Sequence, residues 1–526
     1  MPTLTWVGKD KVVNHHHDVP FRVLNKQYSF TADNHSPSNS TQNRIIHGDN
    51  LEALKSLLPE FEGKVKCIYI DPPYNTGNEG WVYNDNVNDP KIKKWLGQVV
   101  GKEGEDLSRH DKWLCMMYPR LKLLHKLLAD DGVIFVSIGD EEQAHLKLVC
   151  DEIFGYSNCL ADVIWQHSIQ PKGYAGTFSV HHNHTLIFAK SLFVLSNLER
   201  TEEDNKSYTN QDERGRYRLG DVRNALYRPN LIYTVKTPSG KIIEPPANGW
   251  RYSKETMEQK IAVGEIVFSE DESRLIRKIY LDSVSGRTPE TIWFGKDVGT
   301  TRDASSELKA IFTEAPFDTP KPTRLIERIL QISTDKNSII LDSFAGSGTT
   351  AHAVLKLNAQ DGGNRRFILI EMMDYAENIT AERVRRVMNG YGQDNKKVAG
   401  LGGGFDYYTI GQPLFLDNDN LNEAVGINTI RDYITYSEGI PTHEQTTPDN
   451  PYNPYVLGLN REVAWVFFYE QERTTTLDID FLGTLQFGQQ RPNSLIVYAD
   501  KCLLSQEFMR KYNIRFKKIP RDITRF

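Results

Sequence analysis

Asp71-Pro72-Pro73-Tyr74 directly follows a strand-like apolar run that ends at Ile70. The two prolines stiffen this loop and lack N–H groups, so its backbone carbonyls are left as acceptors. The carboxylate of Asp71 and a proline carbonyl could together accept both hydrogens of an amino group, while the ring of Tyr74 stacks on a planar heterocycle. Such contacts would orient an exocyclic amine of a nucleobase towards an electrophile. A rigid turn without chemistry is the alternative interpretation of the same residues.

Residues 341–350, LDSFAGSGTT, form a second motif, in which an apolar strand enters a Gly-x-Gly turn that opens a helix. Such a turn lets the backbone approach a nucleotide-like ligand closely. No Gly-Lys-Ser/Thr follows, and Asp342 would repel a pyrophosphate while suiting an ammonium group. Glu371 ends the next predicted strand, where an acidic side chain commonly holds a ribose diol. An ammonium and a ribose describe S-adenosylmethionine, but Ala351 can replace the third glycine of a dinucleotide fingerprint, so that ligand stays open.

Both motifs stand at the ends of predicted strands. Short apolar runs rich in β-branched residues alternate with helical patterns, which is typical of a parallel α/β sheet. From residue 191 to 318 this rhythm lapses into irregular polar sequence, which predicts an inserted domain. The predicted strands are Arg44–His47, Val65–Ile70, Gly132–Ile138, Thr185–Lys190, Ser338–Asp342 and Arg366–Glu371, and the predicted helices include Tyr118–Leu128 and Thr323–Ile332.

The composition is that of a globular protein. The chain has 526 residues, so roughly three or four structural units are expected at about 150 residues each. Ordinary hydrophobic, charged, Gly and Pro contents exclude collagen-like and mostly disordered classes. The five cysteines are scattered without a CxxC pair, so neither a disulfide framework nor a cysteine zinc site is predicted. The sequence lacks an apolar run long enough for a membrane span and a signal-peptide core, which favours a cytoplasmic protein without a membrane partner.

The formal net charge of −6 conceals an uneven distribution. Residues 214–260 carry ten basic and four acidic side chains with interleaved aromatics, and residues 501–526 carry eight basic and two acidic. Residues 405–500 carry four basic and 14 acidic side chains. The first basic segment is typical of a DNA contact, with a solvated surface as the alternative. The residues predicted to contact DNA are Arg214, Arg216, Arg218, Arg223, Arg228, Trp250 and Arg251.

The sequences DPPYNTG and LDSFAGSGTT resemble the catalytic and cofactor motifs of amino-group DNA methyltransferases. Their order, with DPPY first, resembles the permuted β class. The stretches HGDN at 47–50 and TPKP at 319–322 resemble further cofactor-side motifs of these enzymes. The wider pattern, including GWRYS at 249–253 and KKIP at 517–520, is similar to the modification subunits of type III restriction systems. The resemblance implies a Rossmann-like α/β fold with a mostly parallel, seven-stranded sheet, a circularly permuted motif order, an inserted target-recognition domain and a C-terminal domain.

This resemblance, together with the α/β pattern, predicts five regions. They are an N-terminal arm at 1–40, the catalytic half of the methyltransferase domain at 41–190, the target-recognition domain at 191–318, the cofactor half at 319–400 and the C-terminal domain at 401–526.

The resemblance also implies roles for individual residues. Asp71 and the Pro72 carbonyl would hold the amino group, with Pro73 in the same motif, and Tyr74 would stack on a base flipped out of the duplex. Asp49 could equally be a helix N-cap. The residues implied to bind S-adenosylmethionine are Asp49, Lys321, Asp342, Phe344, Gly346, Gly348 and Glu371. The cluster His181, His182 and His184 resembles a metal site, but amino-group methyl transfer needs no metal, so we predict none there.

The predicted activity is therefore transfer of a methyl group from S-adenosylmethionine to N6 of adenine in double-stranded DNA, because an initial Asp usually accompanies adenine in this family. The expected partners are DNA, a second copy of the chain and a restriction or helicase subunit. The alternatives are N4-cytosine methylation, a non-catalytic DNA-binding or assembly subunit that retains the cofactor fold, and an NAD-dependent enzyme.

Overall fold

The computed structural model describes residues 3–33, 42–76, 109–171, 178–314, 316–416, 418, 420–446, 452–520 and 522–523. The chain divides into two compact units, one formed by 1–194 with 290–526 and the other by 195–289. The predicted insertion at 191–318 is thus longer than the second unit. Residues 290–318 lie in the first unit because they supply an edge strand to its sheet and a helix that packs there.

Within the described residues, ten strands form the main sheet of the first unit. In chain order they are β1 Arg22–Thr31, β2 Arg44–His47, β3 Val65–Ile70, β4 Leu128–Ile138, β5 Cys159–Gln166, β6 His182–Ala189, β7 Ile292–Trp293, β8 Ile339–Asp342, β9 Arg366–Glu371 and β10 Gly404–Pro413. Their spatial order is β1-β10-β2-β9-β8-β3-β4-β6-β5-β7.

The centre of this sheet is parallel. Strands β2, β9, β8, β3 and β4 run in one direction, β10 is parallel to β2, and β6 runs antiparallel between β4 and β5. The described sheet has ten strands where seven were expected, because β1 and β10 extend one edge and β7 extends the other. β1 lies within the predicted N-terminal arm, and its half-exposed, polar sequence concealed its pairing with β10.

The principal helices of the first unit cover this sheet. They are α1 Asn50–Phe61, α2 Arg109–Leu127, α3 Gln143–Phe154, α4 Thr301–Phe312, α5 Thr323–Ser333, α6 Thr349–Asp361 and α7 Glu382–Asn389. α2 begins at Arg109 rather than at Tyr118 as the sequence predicted, so Pro119 lies inside it. The other helices described in this unit are Lys9–Val12, His15–Asp18, Gly295–Val298, Ile427–Ser437, Ile479–Thr484 and Gln506–Lys511.

The core sits between the central strands and these helices. Ile68, Ile70, Leu341 and Ile370 of the strands are fully buried, as is Leu124 of α2. This burial explains why the central strands are almost continuously apolar. All five cysteines are free thiols. Among the helices of the described chain, none combines the length and apolar character needed to cross a membrane.

The remaining strands form small sheets. In the first unit, one sheet contains Val456–Leu459, Val463–Phe467, Ser494–Ala499 and Ile514–Lys518, and short pairs join Gly390–Tyr391 to Val398–Ala399 and Thr476–Leu477 to Lys501–Cys502. The predicted C-terminal domain at 401–526 therefore begins with β10, which belongs to the main sheet. Single 3₁₀ or π turns of this unit are Tyr156–Asn158, Asp374–Ala376, Glu377–Ala381, Asp394–Lys396, Glu423–Val425 and Thr442–Glu444.

The second unit has a sheet and an apolar core of its own. Its strands are Asn210–Asp212, Gly215–Gly220, Ile266–Phe268 and Leu275–Tyr280, with a separate pair Val235–Lys236 and Ile242–Ile243. Its helices are Glu202–Asn205 and Lys254–Ala262, with 3₁₀ turns Pro229–Leu231 and Leu281–Ser283. Its core contains Val222, Ile243, Trp250, Met257, Ile266 and Leu275.

Asn50, at the start of α1, gives a test of how the elements around β8 are held. Its Nδ2 donates to the Ser343 carbonyl at 3.1 Å, and its Oδ1 accepts from Nε of the buried Arg120 at 2.5 Å. Asn50→Ala would remove this acceptor from the buried guanidinium and the donor to the Ser343 carbonyl, and we expect it to lower the free energy of unfolding by about 1–3 kcal/mol. Chemical denaturation should show a lower midpoint. The exposed Asn395→Ala should stay within about 0.5 kcal/mol, and equal midpoints for the two variants would contradict this role.

Candidate active site

The carboxyl edge of four adjacent parallel strands carries the predicted acidic residues. Asp49 follows β2, Glu371 ends β9, Asp342 ends β8 and Asp71 follows β3. Because parallel strands present their carboxyl ends at one edge, these side chains meet although they are far apart in the chain. The negative charges of Asp71 and Glu371 both help to raise the pKa of Asp342, as expected for carboxylates at one edge of the sheet.

Asp71 has two carboxylate oxygens in different environments. Its Oδ2 accepts a hydrogen bond from Lys321 Nζ, from a residue 250 positions away in the chain. Its Oδ1 is buried, and no group in the described residues hydrogen-bonds to it. The resemblance implied that Lys321 lies near a cofactor carboxylate, whereas in the structure it forms an ion pair with Asp71. One buried carboxylate oxygen is therefore available to accept a hydrogen from a ligand.

The loop that follows Asp71 is held from both sides. Trp113 Nε1 donates to the Pro73 carbonyl at 2.7 Å. Asn75 adopts a left-handed φ of 60°, and its Nδ2 donates to Glu142 Oε1 and, at 3.2 Å, to the Arg109 carbonyl. Sequence reasoning missed these supports, although a left-handed conformation is tolerated better by Asn than by most residues.

Tyr74 lines a cavity of about 810 Å³, a volume within the roughly 300–1,000 Å³ typical of ligand pockets. Trp165 and Lys321 also line this cavity, and Lys321 Nζ lies 5.2 Å from the centre of the Tyr74 ring. The Tyr74 hydroxyl is buried and has no hydrogen-bond partner in the described part of the chain. Burial and the nearby Asp71 carboxylate raise the pKa of Tyr74 well above its ordinary value, so the phenol stays protonated.

The glycine turn is bound to the neighbouring strand. Glu371 accepts hydrogen bonds from the Gly346 N–H at 2.8 Å, on Oε2, and from the Met373 N–H at 2.9 Å, on Oε1. Gly348 has a φ of 80°, and a Cβ at this position would lie 3.0 Å from the Thr380 carbonyl oxygen. Only glycine suits this position, because a side chain would combine left-handed strain with close contact to the backbone.

Asp342 lies directly before this turn and is buried. Its Oδ1 accepts from the Phe344 N–H at 3.0 Å, and its Oδ2 accepts from Thr350 Oγ1 at 2.5 Å. Burial raises the pKa of Asp342 to about 7, despite these two hydrogen bonds. The Asp342 carboxyl group therefore sits where a cationic ligand group would favour its ionised form.

Arg383 of α7 joins the glycine turn to the segment that contains Lys321. Its guanidinium is buried and donates to Ser347 Oγ at 2.9 Å and to Thr349 Oγ1 at 2.8 Å. Thr349 Oγ1 in turn donates to the Lys321 carbonyl at 3.2 Å. No sequence motif indicated this arginine, because α7 reads as an ordinary amphipathic helix.

Asp49 caps the start of α1, which is one of the two roles that the sequence offered for it. Its Oδ1 accepts from the N–H groups of Leu51 at 2.8 Å and Glu52 at 3.2 Å, at the start of α1. Its Oδ2 lies 3.7 Å from a guanidinium nitrogen of Arg120. These contacts account for an acidic side chain at this position without a ligand, so contact with a cofactor adenine stays a prediction.

The residues predicted to contact DNA lie in the second unit and differ in accessibility. The prediction that Trp250 contacts DNA is wrong. Its side chain is 3% exposed, belongs to the apolar core of the second unit and donates Nε1 to the Tyr233 carbonyl at 2.7 Å. The ring therefore cannot stack on a base. Arg214 lies over the Tyr280 ring at 4.6 Å, and Arg223 pairs with Asp221 at 2.6 Å.

The other four predicted DNA-contact residues are arginines, and three of them are exposed, as Arg214 and Arg223 are. Arg216, Arg228 and Arg251 are exposed, while Arg218 is half-buried with its guanidinium 5.7 Å from the centre of the Tyr208 ring. Nucleic-acid contact by the six arginines stays a prediction.

Comparison with known proteins identifies the family. A family model described as DNA methylase, N6_N4_Mtase, matches residues 65–382. The chain is 32% identical over 460 residues to the type III restriction-modification enzyme StyLTI Mod subunit of Salmonella typhimurium, covering 80% of this chain and 68% of that protein. It is 31% identical over 425 residues to the EcoP15I Mod subunit of Escherichia coli, covering 70% of this chain and 64% of that protein.

One relative is a type II enzyme. The chain is 33% identical over 375 residues to the type II methyltransferase M.KpnI of Klebsiella pneumoniae, covering 66% of this chain and 85% of that protein. The family match spans both the Asp71 loop and the glycine turn at Gly346. The chain belongs to the N6_N4_Mtase family of DNA methylases.

Proposed function

We propose that this protein is a site-specific DNA methyltransferase that uses S-adenosylmethionine to methylate N6 of adenine in double-stranded DNA. The observation that carries the proposal is the unpartnered Oδ1 of Asp71, which lies beside Tyr74 at the same sheet edge as the glycine turn. This combination offers an acceptor for an amine hydrogen, an aromatic face for a base and a place for the methyl donor.

The residues around the glycine turn fit S-adenosylmethionine. Ser343 Oγ, beside the turn, is a buried hydroxyl without a hydrogen-bond partner in the described residues, so it is available to a polar group of a ligand. The buried Asp342 suits the ammonium group, and Phe344, Gly346 and Glu371 would line the rest of the molecule. When bound, S-adenosylmethionine would supply an electrophilic methyl group on a sulfonium, so that an N–C bond forms as the S–C bond breaks.

Asp71 would act on the target base by orienting its amino group. Oδ1 of Asp71 and the Pro72 carbonyl would each accept one N–H of the amine, which turns the nitrogen lone pair out of conjugation with the ring. The Pro73 carbonyl is engaged by Trp113, so Pro72 is the better candidate. Positive charge develops on the nitrogen during transfer, and the adjacent carboxylate would stabilise it and accept the released proton. Lys321 would hold Oδ2 of Asp71 in place.

Adenine is proposed as the target because Asp rather than Ser opens the catalytic motif. The cavity that Tyr74 lines would take a base that has left the duplex stack, since its amino nitrogen is otherwise inaccessible. Cytosine N4 methylation is the alternative outcome of the same chemistry, and nucleoside analysis separates the two products.

The similarity to two type III Mod subunits supports a role as the modification subunit of a restriction–modification system. We propose that the protein assembles with a second copy of itself and with a restriction subunit. The motif order, with Asp71 before Gly346, supports a circularly permuted methyltransferase. The unit at 195–289 carries all six predicted DNA-contact arginines, which supports its assignment to target recognition.

Asp71→Ala tests the catalytic role. Without the carboxylate the amine loses its acceptor and its counter-charge, so we expect methyl transfer to fall by about 10²-fold or more, by analogy with the loss of one transition-state contact. Transfer of labelled methyl groups to mixed duplex DNA, followed by nucleoside analysis, measures the rate and the modified base. S-adenosylmethionine binding should persist in this variant.

Asp10→Ala, which changes an acidic side chain that is 72% exposed, is the matched control and should retain full activity. N4-methylcytosine in place of N6-methyladenine would shift the proposal to the cytosine alternative. If the wild-type protein bound S-adenosylmethionine yet methylated no base, the non-catalytic alternative would replace it.

Cofactor binding should depend on pH through Asp342. With a pKa of about 7 this carboxyl group is mostly protonated at pH 6, and an ammonium ligand would drive out its proton. We expect S-adenosylmethionine affinity to rise roughly tenfold between pH 6 and pH 8, with close to one proton released per site at pH 6. Calorimetry in two buffers of different ionisation enthalpy measures that release, and Asp342→Asn should abolish it. Equal proton release by the variant would contradict the assignment.

A further inference from the structure

Asp140, His182 and His184 converge on one wall of the cavity. His184 Nε2 lies 2.9 Å from Asp140 Oδ1, and His182 Nε2 lies 3.7 Å from the same oxygen. Asp140 and His182 line the cavity together with Tyr74 and Lys321. The two histidines are on one face of β6 because they are two residues apart in a strand, and the pairing of His184 with Ile138 of β4 brings Asp140 beside them.

These separations suit a bound transition metal. Zn²⁺ holds histidine nitrogens and carboxylate oxygens at about 2.0–2.2 Å, so tetrahedral ligand atoms lie about 3.4 Å from one another. The separations of 2.9 and 3.7 Å lie on either side of that value, and the ligand atoms of all three residues fall within 4.8 Å of one another. Small rotations of Asp140 and His182, whose side chains are 54% and 40% exposed, would therefore complete the site.

A second carboxylate orients His184. The Nδ1 atom of His184 lies 3.0 Å and 3.1 Å from the two oxygens of Asp162, which also accepts from Gln143 Nε2 at 2.7 Å. Histidines that ligate metals usually donate their other ring N–H to a carboxylate, which fixes the tautomer and aims the free nitrogen at the ion. The contact with Asp162 occupies Nδ1 of His184, so its Nε2 is the ring nitrogen that faces Asp140 and His182.

His110, Glu142 and His145 form a second cluster in the described residues with a similar composition, but its carboxylate is already occupied by hydrogen bonds. Glu142 is fully buried, and its carboxylate already accepts from Asn75 Nδ2, His110 Nδ1 at 2.6 Å and His145 Nδ1 at 2.8 Å. A metal there would have to displace the contact that holds the catalytic loop at Asn75. This cluster positions the loop and serves as a control for the first.

We propose that Asp140, His182 and His184 bind one divalent transition-metal ion of the Zn²⁺ class. Three protein ligands leave at least one coordination position open, as in catalytic rather than structural zinc sites. Because Asp140 and His182 line the cavity, that position faces the cavity and takes a water molecule or an anionic oxygen of a ligand. The sequence had indicated only a histidine cluster without a metal, because the contribution of Asp140 depends on the pairing of β4 with β6.

The test measures metal binding directly and does not depend on methylation. The full chain is stripped of metal with a chelator, dialysed and titrated with Co²⁺ and then Zn²⁺, with calorimetry for stoichiometry and visible absorption for the coordination of Co²⁺. We expect one Co²⁺ per chain with the intense absorption of a four- or five-coordinate site, displaced by one Zn²⁺. His182→Asn and Asp140→Asn should each lose this binding, and Asp162→Asn should weaken it by about 10–100-fold.

Asp140 is 54% exposed, so Asp140→Asn should keep the wild-type melting temperature and separate metal loss from unfolding. His145→Asn is the matched control and should bind Zn²⁺ as the wild type does. Two results would overturn the proposal: wild-type protein that binds no more Zn²⁺ than the double variant of Asp140 and His182, or binding that is lost with His145→Asn and retained without Asp140.

Discussion

The parallel pairing of β3 with β8 is the constraint on which the site depends. It aligns Cys67 with Ile340 and Ile68 with Leu341, and so joins two stretches that lie more than two hundred residues apart. The register brings Asp71 and Asp342 to the same edge of the sheet. Ile68 and Leu341 are fully buried, so a slip by one residue would disrupt the packing of these side chains in the core. The fold thus fixes the distance between the catalytic loop and the glycine turn.

This edge gathers more negative than positive charge. Lys321 neutralises Asp71, and two backbone N–H groups donate to Glu371. Among the described residues, Asp342 accepts from Thr350 Oγ1 and the Phe344 N–H, and neither donor is charged. Burial of an incompletely compensated carboxylate explains the raised pKa of Asp342. A ligand with a cationic group relieves this imbalance, whereas a pyrophosphate would increase it. The electrostatics of the edge therefore favour a sulfonium and ammonium ligand over a dinucleotide.

The sequence predicted the elements that carry strong local signals. β2, β3, β8 and β9 lie where apolar runs placed them, because strands buried on both faces must be apolar throughout. β1 was missed because an edge strand may be polar, and its partner β10 is remote in sequence. The other features that the sequence did not predict depend on long-range contacts. Lys321 forms an ion pair with Asp71, Arg383 donates hydrogen bonds to the glycine turn, and Trp250 packs in the core of the second unit. None of these is encoded in local spacing.

Gly139 shows how the two sides of the cavity are joined. It follows β4, between the strand and Asp140, and a Cβ at this position would lie 3.1 Å from Cδ2 of the Tyr74 ring. Such a separation is tighter than an ordinary van der Waals contact, so a larger residue would require small shifts of the Tyr74 ring and of the Glu141 carboxylate, which lies closer still. The absence of a side chain lets the end of β4 pack directly on Tyr74. The position of the Tyr74 ring therefore depends on the same strand end that carries Asp140. A shift of this strand end would move both the ring and Asp140, which line the same cavity.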